Sequence, residues 1–93
     1  MQVKIEKELT VFNVEEVFEE LKSNFSKEGK NMELELDLTT VEDIDGAGMQ
    51  MLVALQKQGD SHDCDCRIII TGEMNRDMKK YGADTVLNLE VRE

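Results

Sequence analysis

The sequence predicts an α/β domain with a mixed sheet of four to five strands and helices mainly on one face. The spacing of apolar residues changes repeatedly between two and about 3.6, which is typical of strands that alternate with helices. Residues 32–38, MELELDL, alternate strictly between apolar and acidic side chains. Such a strand has one dry face and one wet face, so we expect helices to cover mainly one side of the sheet.

The first elements are a strand and a helix. Val3 and Ile5 alternate with Lys4 and Glu6, which indicates a first strand that Leu9 and Val11 could extend. Asn13 is a typical N-cap with Glu16 at the spacing of a capping box, and Phe12 and Val17 occupy the positions of a hydrophobic staple. An apolar stripe then recurs at helical spacing: Val14, Val17, Phe18, Leu21 and Phe25.

The remaining elements follow the strand at 32–38. We expect a loop over 39–45, a second helix over 47–58 and a short buried strand over 67–71. A third, short helix is expected over 75–81, and a last strand over 86–91. The third helix should direct three side chains inward and stop at a glycine: Met74, Met78 and Tyr81, then Gly82.

Length and charge restrict the function. The 93 residues predict a single domain spanning 1–93. The formal net charge of −10 argues against nucleic acid and against direct binding to an anionic membrane surface. No apolar run approaches the roughly 20 residues of a membrane span, and charges interrupt the N-terminus before a signal peptide could form. With two cysteines too close for a relaxed disulfide, we expect a cytoplasmic protein.

Catalytic patterns are absent from the sequence. It has one histidine, no spacing that suggests a Ser-His-Asp relay, and neither a P-loop nor a GxGxxG fingerprint. The Gly46-Ala47-Gly48 segment precedes a helix, but acidic neighbours such as Asp43 and Asp45 would repel a phosphate. We therefore expect no catalytic residues, no cofactor and no enzyme activity.

A metal site is the alternative from another functional class. His62, Cys64 and Cys66 alternate along the chain, so an extended segment would place them on one face. Imidazole and thiolate ligands suit zinc or copper, but a structural zinc site needs four ligands and only three are present. We expect no dedicated metal site, and a small metal-binding protein remains the alternative.

The second predicted helix has apolar residues on two sides. Gly48, Met51, Leu52 and Leu55 share the face that would pack on the sheet. Met49 and Val53 fall roughly opposite and are neighbours on the helix surface. This second apolar side is either a surface for a partner or is covered by the first or third helix.

Three segments together resemble the STAS domain, of the single-domain type found in bacterial anti-sigma factor antagonists. They are ELTVFNVEEVFEEL (8–21), LDLTTV (36–41) and IDGAGM (44–49), in the family's order and spacing. The resemblance implies a non-catalytic signalling module in transcription regulation. In these antagonists the loop and following helix dock on an ATP-binding GHKL-type kinase that is also the anti-sigma factor. That kinase phosphorylates the Ser or Thr after the aspartate, and the added charge breaks the complex.

The sequence departs from the family at the phosphoacceptor. Gly46 stands at that position and has no hydroxyl, so we predict that the usual phosphoswitch is absent there. The resemblance implies a protein-binding surface made by these residues: Thr40, Asp45, Gly46, Ala47, Gly48, Met49, Val53 and Gln56. The partner implied is an anti-sigma factor or another ATPase-fold regulator. Alternatives within the family are a subunit of a lipid-transport ATPase and a chemotaxis-type signalling protein. Ala47 favours the chemotaxis type, which the resemblance associates with alanine at this position.

Overall fold

Strands and helices alternate along the computed structural model, which describes residues 2–28, 33–61 and 64–92. The strands are β1 (Gln2–Lys4), β2 (Lys7–Leu9), β3 (Glu33–Asp37), β4 (Val41–Ile44), β5 (Asp65–Ile70) and β6 (Leu89–Val91). The helices are α1 (Val14–Glu28), α2 (Gly46–Ser61) and α3 (Gly72–Lys80), and a 3₁₀ helix spans Ala83–Thr85. No helix within these ranges is both long enough and apolar enough to cross a membrane.

The strands form two sheets in which every pair is parallel. Four strands lie in the order β1-β3-β5-β6, and β2 pairs with β4 in a second, two-stranded sheet. Parallel neighbours require crossover connections, which α1, α2 and α3 supply. The predicted α/β class is therefore confirmed.

The core lies between the four-stranded sheet and the helices. In register, Leu34 faces Cys66 and Leu36 faces Ile68, so their side chains share one face. All four are buried together with Leu52 from α2. Burying each large aliphatic side chain contributes about 1.5–3 kcal/mol, so this layer is the main source of stability.

The opposite face of the sheet is charged, as the alternation at 32–38 predicts. Arg92 donates to Glu35 at 3.3 Å and lies 2.6 Å from one Glu90 carboxylate oxygen, and Arg67 lies 3.6 Å from the other. Ile69 belongs to this face because its register partners are Asp37 and Glu90, yet it is fully buried. Long charged side chains can cover apolar surface with their stems, and Arg67 and Arg92 lie on this face beside Glu90.

Three sequence predictions of secondary structure are wrong. The extension of the first strand to Leu9 is a separate strand, because β1 pairs with β3 and β2 pairs with β4 in the other sheet. Residues 39–45 were expected to be a loop, but β4 lies within them because Leu9 and its neighbours in β2 provide a pairing partner. The last strand begins at Leu89 rather than at residue 86, since the chain first makes a 3₁₀ turn.

The end of α3 corrects one predicted side-chain position and confirms a predicted stop. Met74 and Met78 are buried as predicted, but Tyr81 is 66% exposed. Tyr81 is already the C-cap, and Gly82 follows with φ +73°, the left-handed conformation in which glycine ends helices. The helix therefore ends at Lys80, before Tyr81, and the Tyr81 side chain does not continue the buried face formed by Met74 and Met78.

Candidate docking surface

Asp45 joins the start of α2 to the loop between β2 and α1. One carboxylate oxygen accepts a hydrogen bond from the Gly48 amide at 2.9 Å, which is an N-cap contact. The other accepts from the Val11 amide at 3.0 Å. The Val11 and Gly48 amides both favour the charged form and lower the pKa of Asp45 below its ordinary value of 3.8. The aspartate thus fixes the turn from two sides.

The two glycines of this turn have different environments. A Cβ on Gly48 would clash with the Leu9 carbonyl oxygen and lie 2.9 Å from Ile44 Cγ1. Gly48 is therefore needed for close packing of α2 on β2 and is buried, so it offers no backbone to a partner. A Cβ on Gly46 would meet nothing within 4 Å, and Gly46 is exposed. Ala47, between them, is half-buried.

The loop beside Asp45 exposes two apolar residues that lie outside the surface implied by the resemblance. Phe12 is 89% exposed and Val11 is 63% exposed. The predicted staple between Phe12 and Val17 is therefore wrong. The loop is nevertheless held, because the Asn13 side chain accepts from the Thr10 amide at 2.9 Å and donates to the Glu8 carbonyl at 2.8 Å. The signal for this exposed site in the sequence was a pair of adjacent apolar residues directly before the N-cap of a helix.

An apolar groove of about 320 Å³ runs between α2 and the chain that follows α3. Gly46 lines this groove. So do Tyr81 and Val86, whose side chains are both more than half exposed. The full lining is Gly46, Met49, Gln50, Val53, Tyr81, Gly82, Ala83 and Val86. We call this groove together with Val11 and Phe12 the docking surface.

The second apolar side of α2 is largely covered. Met49 is only 4% exposed and Val53 is half-buried, so the expectation of an outward Met49 is wrong. Gln56 donates to the Val86 carbonyl at 2.5 Å and accepts from the Asn88 amide at 2.7 Å. These bonds hold the segment after α3 over α2, so Gln56 supports the groove rather than facing a partner.

Thr40 lies apart from the other predicted surface residues. It is exposed just before β4, and its hydroxyl donates to the Ile5 carbonyl at 3.4 Å. Asp45 follows the other end of β4, about 16 Å away at the rise of an extended strand. The structure therefore does not bring Thr40 to the turn, whereas Asp45, Gly46, Met49 and Val53 lie together around it.

The cysteines are core residues in the structure. Cys64 and Cys66 are buried with their sulfur atoms 3.9 Å apart, and burial raises the pKa of both thiols, that of Cys66 to about 12. A Cβ on Gly59 would lie 2.5 Å from the Cys66 sulfur, so α2 packs closely against it. His62 falls outside the described residues, and the rest of the chain that is described contains no cluster of three metal-ligating side chains.

The chain matches a protein-family model over nearly all of its length. The family model described as the STAS domain matches residues 1–92. No curated protein matches the chain. The matched range includes every strand and helix described above, together with the whole docking surface.

Proposed function

We propose that this chain, which belongs to the STAS domain family because the family model spans nearly all of it, docks on an ATPase-fold regulatory protein in the cytoplasm. STAS domains are generally non-catalytic regulatory modules that bind other proteins, and this one resembles the anti-sigma factor antagonists. The observation that carries the proposal is the docking surface itself, where exposed apolar residues meet the turn that Asp45 holds.

The exposed apolar residues support a contact at this surface. Phe12 and Val11 stand out from a loop whose backbone is tied down, so little order remains to be gained on binding. Tyr81 and Val86 add apolar area at the groove, and aromatic side chains are enriched at the centres of protein interfaces. When a partner covers these side chains, burial of their apolar area favours binding, and little conformational entropy is lost because the loop is already ordered.

The remaining predicted surface residues act indirectly in this proposal. Asp45 and Gly48 set the position of the turn, and Met49 lies largely buried in the groove lining. Gln56 holds the 81–88 segment that completes the groove. Gly46 alone among the glycines of the turn offers open backbone to a partner.

The partner class follows from the family resemblance. We infer an anti-sigma factor of the GHKL-kinase type or a related ATPase-fold regulator. The hydroxyl that such a kinase would phosphorylate is missing at Gly46, so we infer that binding is not switched by phosphorylation of this position. A subunit of a lipid-transport ATPase and a chemotaxis-type signalling protein remain the alternatives within the family.

Affinity capture from the source organism with mass spectrometry tests the partner class. Phe12→Ser and Val53→Lys should lose an ATPase-fold protein that the unchanged chain retains. Val91→Lys is the matched control, because Val91 is 44% exposed on β6 and lies outside the docking surface. Recovery of the same proteins by Phe12→Ser, Val53→Lys and the unchanged chain would contradict the proposed surface. A captured transporter ATPase or chemotaxis protein would select an alternative.

Substitution of Gly46 tests control by charge. The open space around Gly46 means that Gly46→Asp and Gly46→Ala should both fold, and a carboxylate is favourable at a helix N-terminus. If the surface works as in the phosphorylated antagonists, Gly46→Asp weakens the captured complex while Gly46→Ala leaves its Kd unchanged. An unchanged Kd for Gly46→Asp would mean that negative charge at this position does not control binding in this chain.

A further inference from the structure

The three helices cover one face of the four-stranded sheet in chain order. The strands lie in the order β1-β3-β5-β6, and each helix belongs to the connection between one neighbouring pair. Because crossovers between parallel strands are right-handed, the helices share a face, with α2 between α1 and α3. α1 packs against α2, and Gln56 of α2 bonds to Val86 and Asn88 beyond α3. The docking surface therefore has α1 on one flank and the end of α3 on the other.

The two flanks carry opposite charge. Four exposed carboxylates stand in the first two turns of α1, after Phe12: Glu15, Glu16, Glu19 and Glu20. None of them has an ion-pair partner among the side chains that the structure describes. Three exposed cations stand in the last two turns of α3, before Tyr81: Arg76, Lys79 and Lys80. Only two carboxylates, Asp77 and Asp84, lie between Arg76 and Asn88, so this flank keeps an excess of positive charge.

The shapes of the two flanks also complement each other. Phe12, which is 89% exposed, projects beside α1, and the apolar groove of about 320 Å³ lies on the α3 side of α2. A two-fold axis near the exposed start of α2, at Gly46 and Gln50, exchanges the two flanks between copies. It sets Phe12 of each copy over the groove of the other, and the α1 carboxylates of each copy beside the α3 cations of the other.

The net charge of −10 on each copy opposes this association. At physiological salt, however, charges separated by more than about 8 Å are largely screened. The charges that meet at the flanks then outweigh those on the far side of each copy, and they are of opposite sign. A second copy therefore satisfies the charge pattern of the docking surface at both ends.

We propose that two copies of this chain associate through the docking surface about a two-fold axis. Each copy inserts Phe12 into the groove of the other and sets its α1 carboxylates against the cations at the end of the other α3. The dimer itself needs no further protein. Its consequence, that self-association withholds the surface from an ATPase-fold partner, rests on the proposed function and gives control by concentration to a chain without a hydroxyl at Gly46.

Sedimentation equilibrium of the full chain tests the dimer. Few exposed apolar side chains per copy make a small, weak interface, so concentrations on the order of 10 μM to 1 mM are needed. The mass should rise from 10.6 kDa towards twice that value. Phe12→Ser should weaken the dimer at least about tenfold, whereas Val91→Lys, away from the docking surface, should not. A mass of 10.6 kDa throughout, or an equally tight dimer of Phe12→Ser, would overturn the proposal.

Exchange of the flank charges is a second test. One variant combines Glu16→Lys with Glu19→Lys, and the other combines Lys79→Glu with Lys80→Glu. Each alone should dimerise at least about tenfold more weakly, because flanks of like charge then meet. An equal mixture should restore the dimer, because each reversed flank meets the opposite charge on the other variant.

Net charge alone predicts a different result for the first variant, which is less negative and would then dimerise more tightly. Glu42→Lys with Glu73→Lys is the matched control, because it changes the net charge equally in a groove that shares no lining residue with the docking surface. This control should not weaken the dimer. A tighter dimer of the first variant, or no dimer in the mixture, would refute the two-fold arrangement. Circular dichroism checks folding, and if a variant does not fold, Phe12→Ser decides.

The dimer and the proposed function can fail separately. A monomeric chain that still captures an ATPase-fold protein removes only the dimer. A dimer with the expected response to flank reversal, in a chain that captures no such protein, removes only the proposed function.

Discussion

Replacing Gly48 by alanine should destabilise the fold, whereas the same change at Gly46 should not. An added Cβ at Gly48 would lie 2.9 Å from Ile44 Cγ1 and 3.0 Å from the Leu9 carbonyl carbon, and would clash with the Leu9 oxygen. Ordinary contacts begin at 3.4 Å and the Leu9 carbonyl carbon lies at 3.0 Å, so α2 must move at least 0.4 Å away from this atom of β2. Backbone atoms cannot rotate aside as a flexible side chain can.

The magnitude follows from two opposing effects. Alanine favours a helix over glycine by about 1 kcal/mol, and forced overpacking of a core costs about 1–3 kcal/mol before its hydrogen bonds are counted. Moving α2 also stretches the bond from the Gly48 amide to Asp45 and the bond from the Asp45 amide to Leu9. We expect Gly48→Ala to lower the free energy of unfolding by about 1–3 kcal/mol.

The matched variant is Gly46→Ala, where the added methyl group meets nothing within 4 Å. It should be neutral or more stable by up to about 1 kcal/mol. The two midpoints of thermal unfolding should then differ by on the order of 10–20 °C in a domain of this size. Urea denaturation followed by circular dichroism measures the free energies. Two variants within about 0.5 kcal/mol of each other would refute the close-packing role of Gly48.

Four further predictions concern other residues. The lowered pKa of Asp45 means that its stabilising contribution is present above pH 3.8 and is lost as pH falls through the folded-state pKa. Acid unfolding followed by circular dichroism should therefore be less steep below pH 3.8 for Asp45→Asn, and identical curves would contradict this. The pKa of Cys66 is raised to about 12, so the unfolded thiol ionises from its ordinary pKa of 9.0 upward while the folded thiol stays neutral. Stability should fall as pH rises above 9.0, and Cys66→Ala should reduce that fall in urea melts. Phe12→Ser should change the free energy of unfolding by less than about 0.5 kcal/mol because Phe12 is almost fully exposed, and a larger loss in the same melts would mean that it packs in the fold. Gln56→Ala should cost about 1–2 kcal/mol and speed hydrogen exchange of the Asn88 amide, which an unchanged exchange rate would disprove.

Local patterns were enough to predict most elements because each reports the environment of its own segment. The alternation at 32–38 matches a strand buried on one face, and the stripe that ends near Phe25 matches α1. Gly82 ends α3 as expected, because a left-handed residue is a local requirement. The Asp45 cap was also foreseeable, since an N-cap needs only an acceptor just before a helix.

Long-range contacts decided what local patterns could not. The strand β4 exists because β2 pairs with it, and nothing in its own residues required a strand. Met49 was placed on the outer side of α2, but it is buried in the fold, where α1 packs against α2 and Gln56 holds the segment after α3 beside it. The burial of Ile69 on a polar face likewise depends on side chains from neighbouring strands.

The sequence by itself determined the family, the alternation of strands and helices, and the absence of a hydroxyl at Gly46, since residue identity and spacing carry this information along the chain. Only the tertiary structure decided which residues face outward. In the folded chain Phe12 is exposed, Met49 is buried and Gly48 packs against Leu9. Exposure depends on which other parts of the chain lie against each residue. The docking surface arises in this way, from elements distant in sequence that fold together and leave a gap between them.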